Sequence, residues 1–430
     1  MSDPNRRHRS VALAAPSWTL LAALVIAAVS GCGRSGTGEQ ESEPPEPRPQ
    51  VAVPRSTLDS PQGKPPVVVI SIDTLRSDRL PAYGYTDVDT PNIDRLRADS
   101  ILFEHIFSPY PLTLPAHSSM LTGLLPPEHG VRDNSGYRLD ASHLPFLPRL
   151  LQEHGYATGA AVSSYVLRAT TGLSSGFDFY DDGVQFRSQA ILGDVQRAGI
   201  ETLDSARSWL RSVADEPFFF FFHIYEPHTP HAPPEPFASR YSSPYDGEVA
   251  VADFVVGELL EELADLGIYD PALILLTSDH GEGLDDHGDY EHGLLLYREA
   301  IQVPLMIKLP GGQRGGSTIS EPGQLIDIFP TVVDLVGLES SDSPGRSLLR
   351  PVEGSEPTER SIYSETYFPR LHFGWSELRS LIEWPYHYIE GPDPELYDLV
   401  NDPKQKDNIL LQDRRIFGRL RQQLATYDAA

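Results

Sequence analysis

Three apolar runs in this chain each end in residues that can do chemistry. VVVISI (67–72) runs into Asp73, PFFFFFHIY (217–225) into Glu226, His228 and His231, and ALILLTS (272–278) into Asp279 and His280. Short, unbroken apolar runs are the pattern of strands buried on both faces. Helical patterns lie between them, at LPRLLQEHG (147–155) and VADFVVGELLEELADLG (251–267), the latter closed by Gly267. Strands alternating with helices predict a doubly wound α/β sheet sandwiched by helices, whose ligands collect at the carboxyl ends of the strands. A fourth apolar strand, VPLMIKL (303–309), leads to a helix over 327–338. From about 360 the runs shorten and alternate (SIYSETYF, SELRSLIEW, YHYIE), which predicts a small C-terminal antiparallel sheet finished by a helix near 412–427.

A nucleophile is legible at Thr113, in TLPAHSSMLTG (113–123). Thr113 stands two residues before Pro115, and a helical run follows until Gly123 stops it. The threonine is therefore expected at a helix mouth, where unpaired N–H groups and the dipole favour an anion. Alone, such a residue reads as an ordinary helix cap. The strand ends change that reading. Asp73, Asp279 and His280 offer two carboxylates and an imidazole, a set suited to a divalent cation. With Thr113 as a fourth ligand, the ion would lower the hydroxyl pKa and neutralise an ester oxygen. Carboxylates favour Mg²⁺ or Ca²⁺, whereas the imidazole tilts the set towards Zn²⁺ or Mn²⁺.

Residues 1–31 read as a signal peptide, with Arg6, Arg7 and Arg9 ahead of an apolar run from Trp18 to Val29. Val29-Ser30-Gly31 precedes Cys32, the only cysteine. This resembles a bacterial lipobox, in which Cys32 becomes a lipid anchor. Disulfides, thiolate metal sites and cysteine nucleophiles are then excluded. Residues 32–65 read as a Pro/Glu/Gly/Ser-rich disordered tether, 66–345 as the catalytic domain and 346–430 as the C-terminal subdomain. The expected location is the envelope of a bacterium, on the outer or inner membrane, facing periplasm or exterior. Acidic residues outnumber basic ones by 61 to 34, so no nucleic-acid-binding surface is expected. An anionic ester substrate must be won locally, by metal and dipoles.

ISIDTLRSDRLPAYGY (70–85), TLPAHSSMLTG (113–123), TSDHGEGLDDHG (277–288), HGLLLYREAIQVPL (292–305), DIFPTVVDL (327–335) and ELYDLVNDP (395–403) resemble, in order, segments of bacterial sulfatase-like hydrolases of the alkaline phosphatase superfamily. The resemblance implies an alkaline phosphatase-like fold, Asp73, Asp279 and His280 as metal ligands, and Thr113 as nucleophile. It also implies substrate contact at His228 and a leaving-group acid at His292. Two departures argue against formylglycine chemistry. Sulfatases proper carry Cys or Ser, any residue, Pro, any residue and Arg, where this chain has Thr113, Pro115 and His117. The GKWH-type stretch that supplies Lys and His to the sulfate is also replaced, after GYAT (155–158), by GAAVSSYVLR. Thr74 stands, besides, where a second metal-binding Asp is frequent.

The Thr113 stretch is similar as well to the nucleotide pyrophosphatase/phosphodiesterases, whose threonine is followed by a loop like His129–Asn134 here. That likeness implies Asn134 as a donor to a non-bridging oxygen and Arg132 as added positive charge at the substrate. His231 is a further substrate-side candidate. A second metal would draw on Glu226, His228, His231 and His292. The reading is a lipid-tethered, metal-dependent hydrolase of a sulfate or phosphate ester. Its alternatives are a phosphodiesterase, a phospho-group transferase using an alcohol or amine acceptor, and a non-catalytic surface-binding protein.

Overall fold

The computed structural model describes residues 63–184, 195–339, 343–349 and 360–429. The signal, lipobox and most of the tether lie outside them. The main body is one nine-stranded sheet of β1 (Val67–Ile72), β2 (Ile101–Phe107), β3 (Ala157–Ala161), β4 (Phe179–Asp181), β5 (Phe218–Ile224), β6 (Leu273–Ser278), β7 (Gln302–Lys308), β8 (Thr318–Ile319) and β9 (Gly323–Gln324). Its order is β4-β3-β5-β1-β6-β7-β2-β8, with β9 also on β2. The β1–β5, β1–β6 and β3–β5 pairs are parallel, and β7 runs antiparallel to β6 and β2. The sheet is thus mixed, and the fourth apolar run is the strand that reverses.

Side-chain alternation along the phenylalanine run explains why it is apolar throughout. Phe219 and Phe221 enter the core on one face, with helices α2 (Thr113–Thr122), α3 (Leu147–Glu153) and α6 (Ile328–Leu335). Phe218, Phe220 and Phe222 enter the core on the other, with α1 (Pro91–Ala98), α4 (Gly199–Ser212) and α5 (Pro244–Asp265). A strand between two helical layers has no face to give to water, so both sets must be apolar. Helix α5 starts well before 251, because Ser243 caps it through Asp246 N (3.3 Å) and Pro244 opens its first turn.

Two strands, each one in from an edge of the sheet, escape the apolar-run pattern. In β2 a register shift between Phe103 and Ile106 surrounds the polar pair Glu104–His105. In β3 the residues are ATGAA. Gly159 there is required by close approach, since a Cβ would stand 2.5 Å from the Trp209 ring.

The C-terminal sheet is antiparallel and four-stranded, β10 (Ile362–Thr366), β11 (Leu378–Glu383), β12 (Tyr386–Glu390) and β13 (Glu395–Asp398), in that order. Helix α7 (Phe368–Phe373) follows β10, and α8 (Arg414–Leu424) closes the core around Tyr363, Leu381, Tyr388, Leu420 and Leu424. The sheet is joined to the main body by Arg132, whose Nε donates to Glu365 Oε1 (2.7 Å) and whose guanidinium lies 4.6 Å from the Tyr367 ring. Among the described residues no helix is long and apolar enough to cross a membrane.

Candidate active site

Asp73 follows β1, and Asp279 and His280 follow β6, on adjacent parallel strands. Their ligand atoms lie within 4.8 Å of one another, and all three side chains are fully buried. Asp279 Oδ1 accepts from the backbone N–H groups of His280 (2.9 Å) and Thr74 (3.2 Å). Asp279 Oδ2 and both Asp73 oxygens have no hydrogen-bond donor. His280 Nδ1 contacts the Gly281 carbonyl at 3.0 Å. A carbonyl only accepts, so Nδ1 carries the proton and Nε2 presents a lone pair. That lone pair lies 3.4 Å from Asp279 Oδ2 and 3.9 Å from Asp73 Oδ1. A buried cluster of acceptors with no donor between them is what a cation satisfies.

Electrostatics say the same. Burial, then the Asp279 charge, raises the Asp73 carboxyl well above its ordinary range. Burial likewise raises Asp279, and pushes His280 down to about 3. A cation would hold both carboxylates ionised, and the donor set fits one.

Thr113 lies at this edge too. Its Oγ1 is 3.5 Å from His280 Nε2, and it is the first residue of α2. Leu112 is the extended residue before the helix and Pro115 its third residue, so the proline does not occupy the expected first helical position. Gly123, at φ 69, ends the helix in the left-handed conformation that favours glycine. Asn134 Oδ1 accepts from Leu114 N at 2.8 Å. The asparagine thereby satisfies one of the helix's unpaired N–H groups with its oxygen, and its Nδ2 amide is the group that can donate.

His117, where sulfatases proper carry arginine, is buried one turn along α2. Its Nδ1 lies 2.7 Å from the Thr113 carbonyl, its Nε2 2.8 Å from Ser71 Oγ, and its ring reaches within 3.7 Å of Asp279 Oδ2. His223 is buried on β5 with Nε2 3.3 Å from Asp73 Oδ2. Thr74 adopts φ 55, unusual for a β-branched residue. It is held there by its N–H to Asp279 and by Tyr245 Oη on its carbonyl (2.8 Å).

A second layer surrounds Glu282, a fully buried carboxylate. His292 Nδ1 lies 3.0 Å from Glu282 Oε1 and His231 Nε2 3.7 Å from Oε2. The His292 ring sits 4.5 Å from that of His280 and 4.9 Å from that of His228. Burial alone would lower His292, but the Glu282 carboxylate raises it. Burial holds His228 down at about 3. Thus Thr113, His228, His231, His280 and His292 converge.

Other residues do not converge. Arg132 is paired with Glu365 and lies over the Tyr367 ring. Glu226 accepts from Gly199 N, at the start of α4. Among the described residues the group around Asp73, Asp279 and His280 is the one with metal-ligand proximity. The place of Glu282 just after the metal ligands marks the 282–289 run as a pocket wall, but its bridging between imidazoles has no mark in the sequence. His117 and His223 carried only local signals of an apolar helix and an apolar strand.

The Sulfatase family model matches residues 65–338, and the model described as "N-sulphoglucosamine sulphohydrolase, C-terminal" matches 285–429. The chain is 23% identical to an N-acetylglucosamine-6-O-sulfatase of Bacteroides thetaiotaomicron, over 80% of this chain and 82% of that one. It is 26% identical to an ulvan-active sulfatase of Formosa agariphila, over 81% and 77%. Among solved structures, the phosphonate monoester hydrolase of Agrobacterium radiobacter aligns with a TM-score of 0.69 at 22% identity, covering 85% of this chain and 95% of that one. A complex with D-glucosamine-2-N,6-O-disulfate aligns at 0.71 and 20%, covering 85% and 99%. With these matches, the strand-end triad and the mixed sheet with its antiparallel appendage have one parentage: the chain belongs to the sulfatase family, as an ester hydrolase of the alkaline phosphatase superfamily.

Proposed function

We propose that this enzyme cleaves a sulfate or phosphate ester by way of a covalent ester on Thr113. The observation that carries the reading is the Thr113 hydroxyl beside a buried set of unpaired acceptors, Asp73, Asp279 and the His280 lone pair. A divalent cation held by these three would lower the hydroxyl pKa and polarise the ester oxygen. Zn²⁺, Mn²⁺, Mg²⁺ and Ca²⁺ are the candidates, and the imidazole donor favours the first two.

The chain's own residues supply the rest. Deprotonated Thr113 Oγ1 forms the bond to phosphorus or sulfur in line with the departing alcohol oxygen. The positive end of α2 favours the anion during attack, and Asn134 holds that helix mouth in shape. His292, whose proton affinity the Glu282 carboxylate raises, gives its proton to the departing oxygen. His292 then takes a proton from the water that cleaves the threonine ester, so the acid of one step is the base of the next. His228 and His231 line the substrate side. Arg132 acts through the subdomain joint.

Threonine cannot be oxidised to formylglycine, which favours direct attack by the hydroxyl. The same feature favours phosphorus over sulfur, and the phosphonate monoester hydrolase fold is consistent with it. Anchoring through Cys32 in a bacterial envelope, ahead of the catalytic domain at 66–345 and the subdomain at 346–430, completes the proposal. The test is to assay purified protein with each metal on aryl sulfate, phosphate monoester and phosphodiester substrates. Full activity of Thr113→Ala on whichever ester is cleaved would overturn the nucleophile. Cleavage of sulfate esters alone would overturn the preference for phosphorus.

A further inference from the structure

Arg76 follows the turn at Thr74 that leaves β1, and it is buried, at 3% exposure. Each of its five guanidinium N–H groups meets an acceptor. Nε and Nη2 take the two oxygens of Asp78 (2.9 and 2.8 Å), and Nη2 also reaches Asp286 Oδ2 (2.8 Å). Nη1 donates to the backbone carbonyls of Glu282 (3.1 Å) and Gly283 (3.4 Å). A buried guanidinium that spends donors on carbonyls fixes the backbone that carries them.

That backbone carries the carboxylate that meets His292 Nδ1 at 3.0 Å and His231 Nε2 at 3.7 Å. Close packing fixes its path. A Cβ on Gly281 would stand 1.9 Å from the Glu299 carbonyl oxygen and 3.3 Å from Arg76 Cγ, and one on Gly283 would stand 2.2 Å from the Asp289 carbonyl oxygen. Arg76 is tied to the metal side as well. Its own N–H donates to Tyr245 Oη (2.9 Å), Tyr245 Oη donates to the Thr74 carbonyl (2.8 Å), and Thr74 N donates to Asp279 (3.2 Å). The stretch 73–76 therefore reaches Asp279 through its backbone and the Glu282 carbonyl through one side chain.

We propose that Arg76 is a positioning residue: by gripping the Glu282 and Gly283 carbonyls it sets the Glu282 carboxylate against His292, and so fixes the proton donor relative to Thr113. The inference rests on the reading of His292 as the leaving-group acid. The donors of Arg76 are spent on protein, so it acts through Glu282 rather than on the ester. Misplacing a supporting group by about 1 Å can cost about 100-fold in rate. The loss falls on the step in which a proton is delivered. A nitrophenolate departs with little help, whereas a phenolate needs the proton, so the two esters separate a misplaced donor from a general loss of activity.

The experiment compares wild type with Arg76→Gln, Asp286→Ala and Glu282→Gln on p-nitrophenyl phosphate and phenyl phosphate, with the matching sulfates alongside. Metal content and denaturant midpoint are measured for each protein. Proton NMR follows the downfield imidazole N–H resonance that His292→Gln abolishes. Arg76→Gln and Glu282→Gln are expected to lower kcat roughly 10- to 100-fold on the phenyl ester and much less on the nitrophenyl ester, with KM and metal content little changed. The resonance should be lost or displaced in Arg76→Gln. Asp286→Ala loosens the guanidinium from its solvent-facing end and should show the same bias on a smaller scale. It carries the test should Arg76→Gln not fold. A phenyl-ester bias in Glu282→Gln, with none in Arg76→Gln or Asp286→Ala, overturns the role of Arg76 and leaves His292 as the acid. So does an unmoved resonance in a folded Arg76→Gln. Equal losses on both esters in every variant remove the acid role of His292, and the inference falls with it.

Discussion

Thr113 Oγ1 and His280 Nε2, separated by 167 residues in sequence, meet at 3.5 Å, with the imidazole lone pair turned towards the hydroxyl because its other nitrogen is spent on the Gly281 carbonyl. Thr113→Ala is therefore predicted to lower kcat on the order of 10³-fold or more, as expected when a covalent nucleophile is removed. Thr113→Ser should retain part of the rate. Metal content, measured by elemental analysis, should be unchanged in both, since Asp73, Asp279 and His280 remain. A kcat within tenfold of wild type in Thr113→Ala would remove the assignment.

His117 holds the metal-side residues from behind, through Ser71 Oγ, the Thr113 carbonyl and its approach to Asp279. Groups that orient ligands without touching the ion commonly govern its affinity by about 10–100-fold. His117→Ala should weaken metal binding by that factor in calorimetric titration of the chelator-stripped protein. Asp279→Ala with His280→Ala should abolish stoichiometric binding. Unaltered affinity in the single variant would confine His117 to packing.

Arg132 joins the main body to the C-terminal sheet through Glu365, whose carboxylate is wholly buried. Removing one partner of such a pair strands the other, at a cost of about 3 kcal/mol. Arg132→Ala should lower the unfolding midpoint in denaturant accordingly, and Arg132→Lys should recover only part of the loss. A midpoint equal to wild type would show that Tyr363, which also donates to Glu365 at 2.6 Å, suffices alone.

Asp253 on α5 accepts from Asn92 N (3.0 Å), Ile93 N (2.8 Å) and Asn92 Nδ2 (3.0 Å), yet burial raises its carboxyl to about 6. With the folded pKa above the unfolded one, the native state binds the extra proton between about pH 4 and 6. This group's contribution therefore falls as pH rises through that window. Wild type measured against Asp253→Asn should lose about 2 kcal/mol of relative stability from pH 4 to 6, read by denaturant unfolding at each pH. A flat difference would refute the shift.

Much of the architecture is legible in one dimension because burial on both faces leaves a local mark. The runs before Asp73, Glu226 and Asp279 are strands at the places expected, and the phenylalanines of β5 serve two cores by simple alternation. β2 and β3 are not legible, since a bulge and a run of small residues erase the pattern that burial would otherwise write. The same holds at the site. Asp73, Asp279 and His280 are visible because strand ends in a doubly wound sheet face one edge. Glu282, His117 and His223 are invisible because what matters about them is their partners.

By itself the sequence determined the strand-and-helix alternation, the edge at which reactive side chains gather, and a threonine where formylglycine chemistry would need cysteine or serine. The tertiary structure decided the use of each side chain. It left Asp73 and Asp279 Oδ2 without donors, turned Asn134 onto Leu114 N, and drew Arg132 to Glu365. It also set Glu282 between His231 and His292. Periodicity is a property of neighbours in the chain, whereas hydrogen-bond saturation belongs to neighbours in space, and here those neighbours lie as many as 257 residues apart.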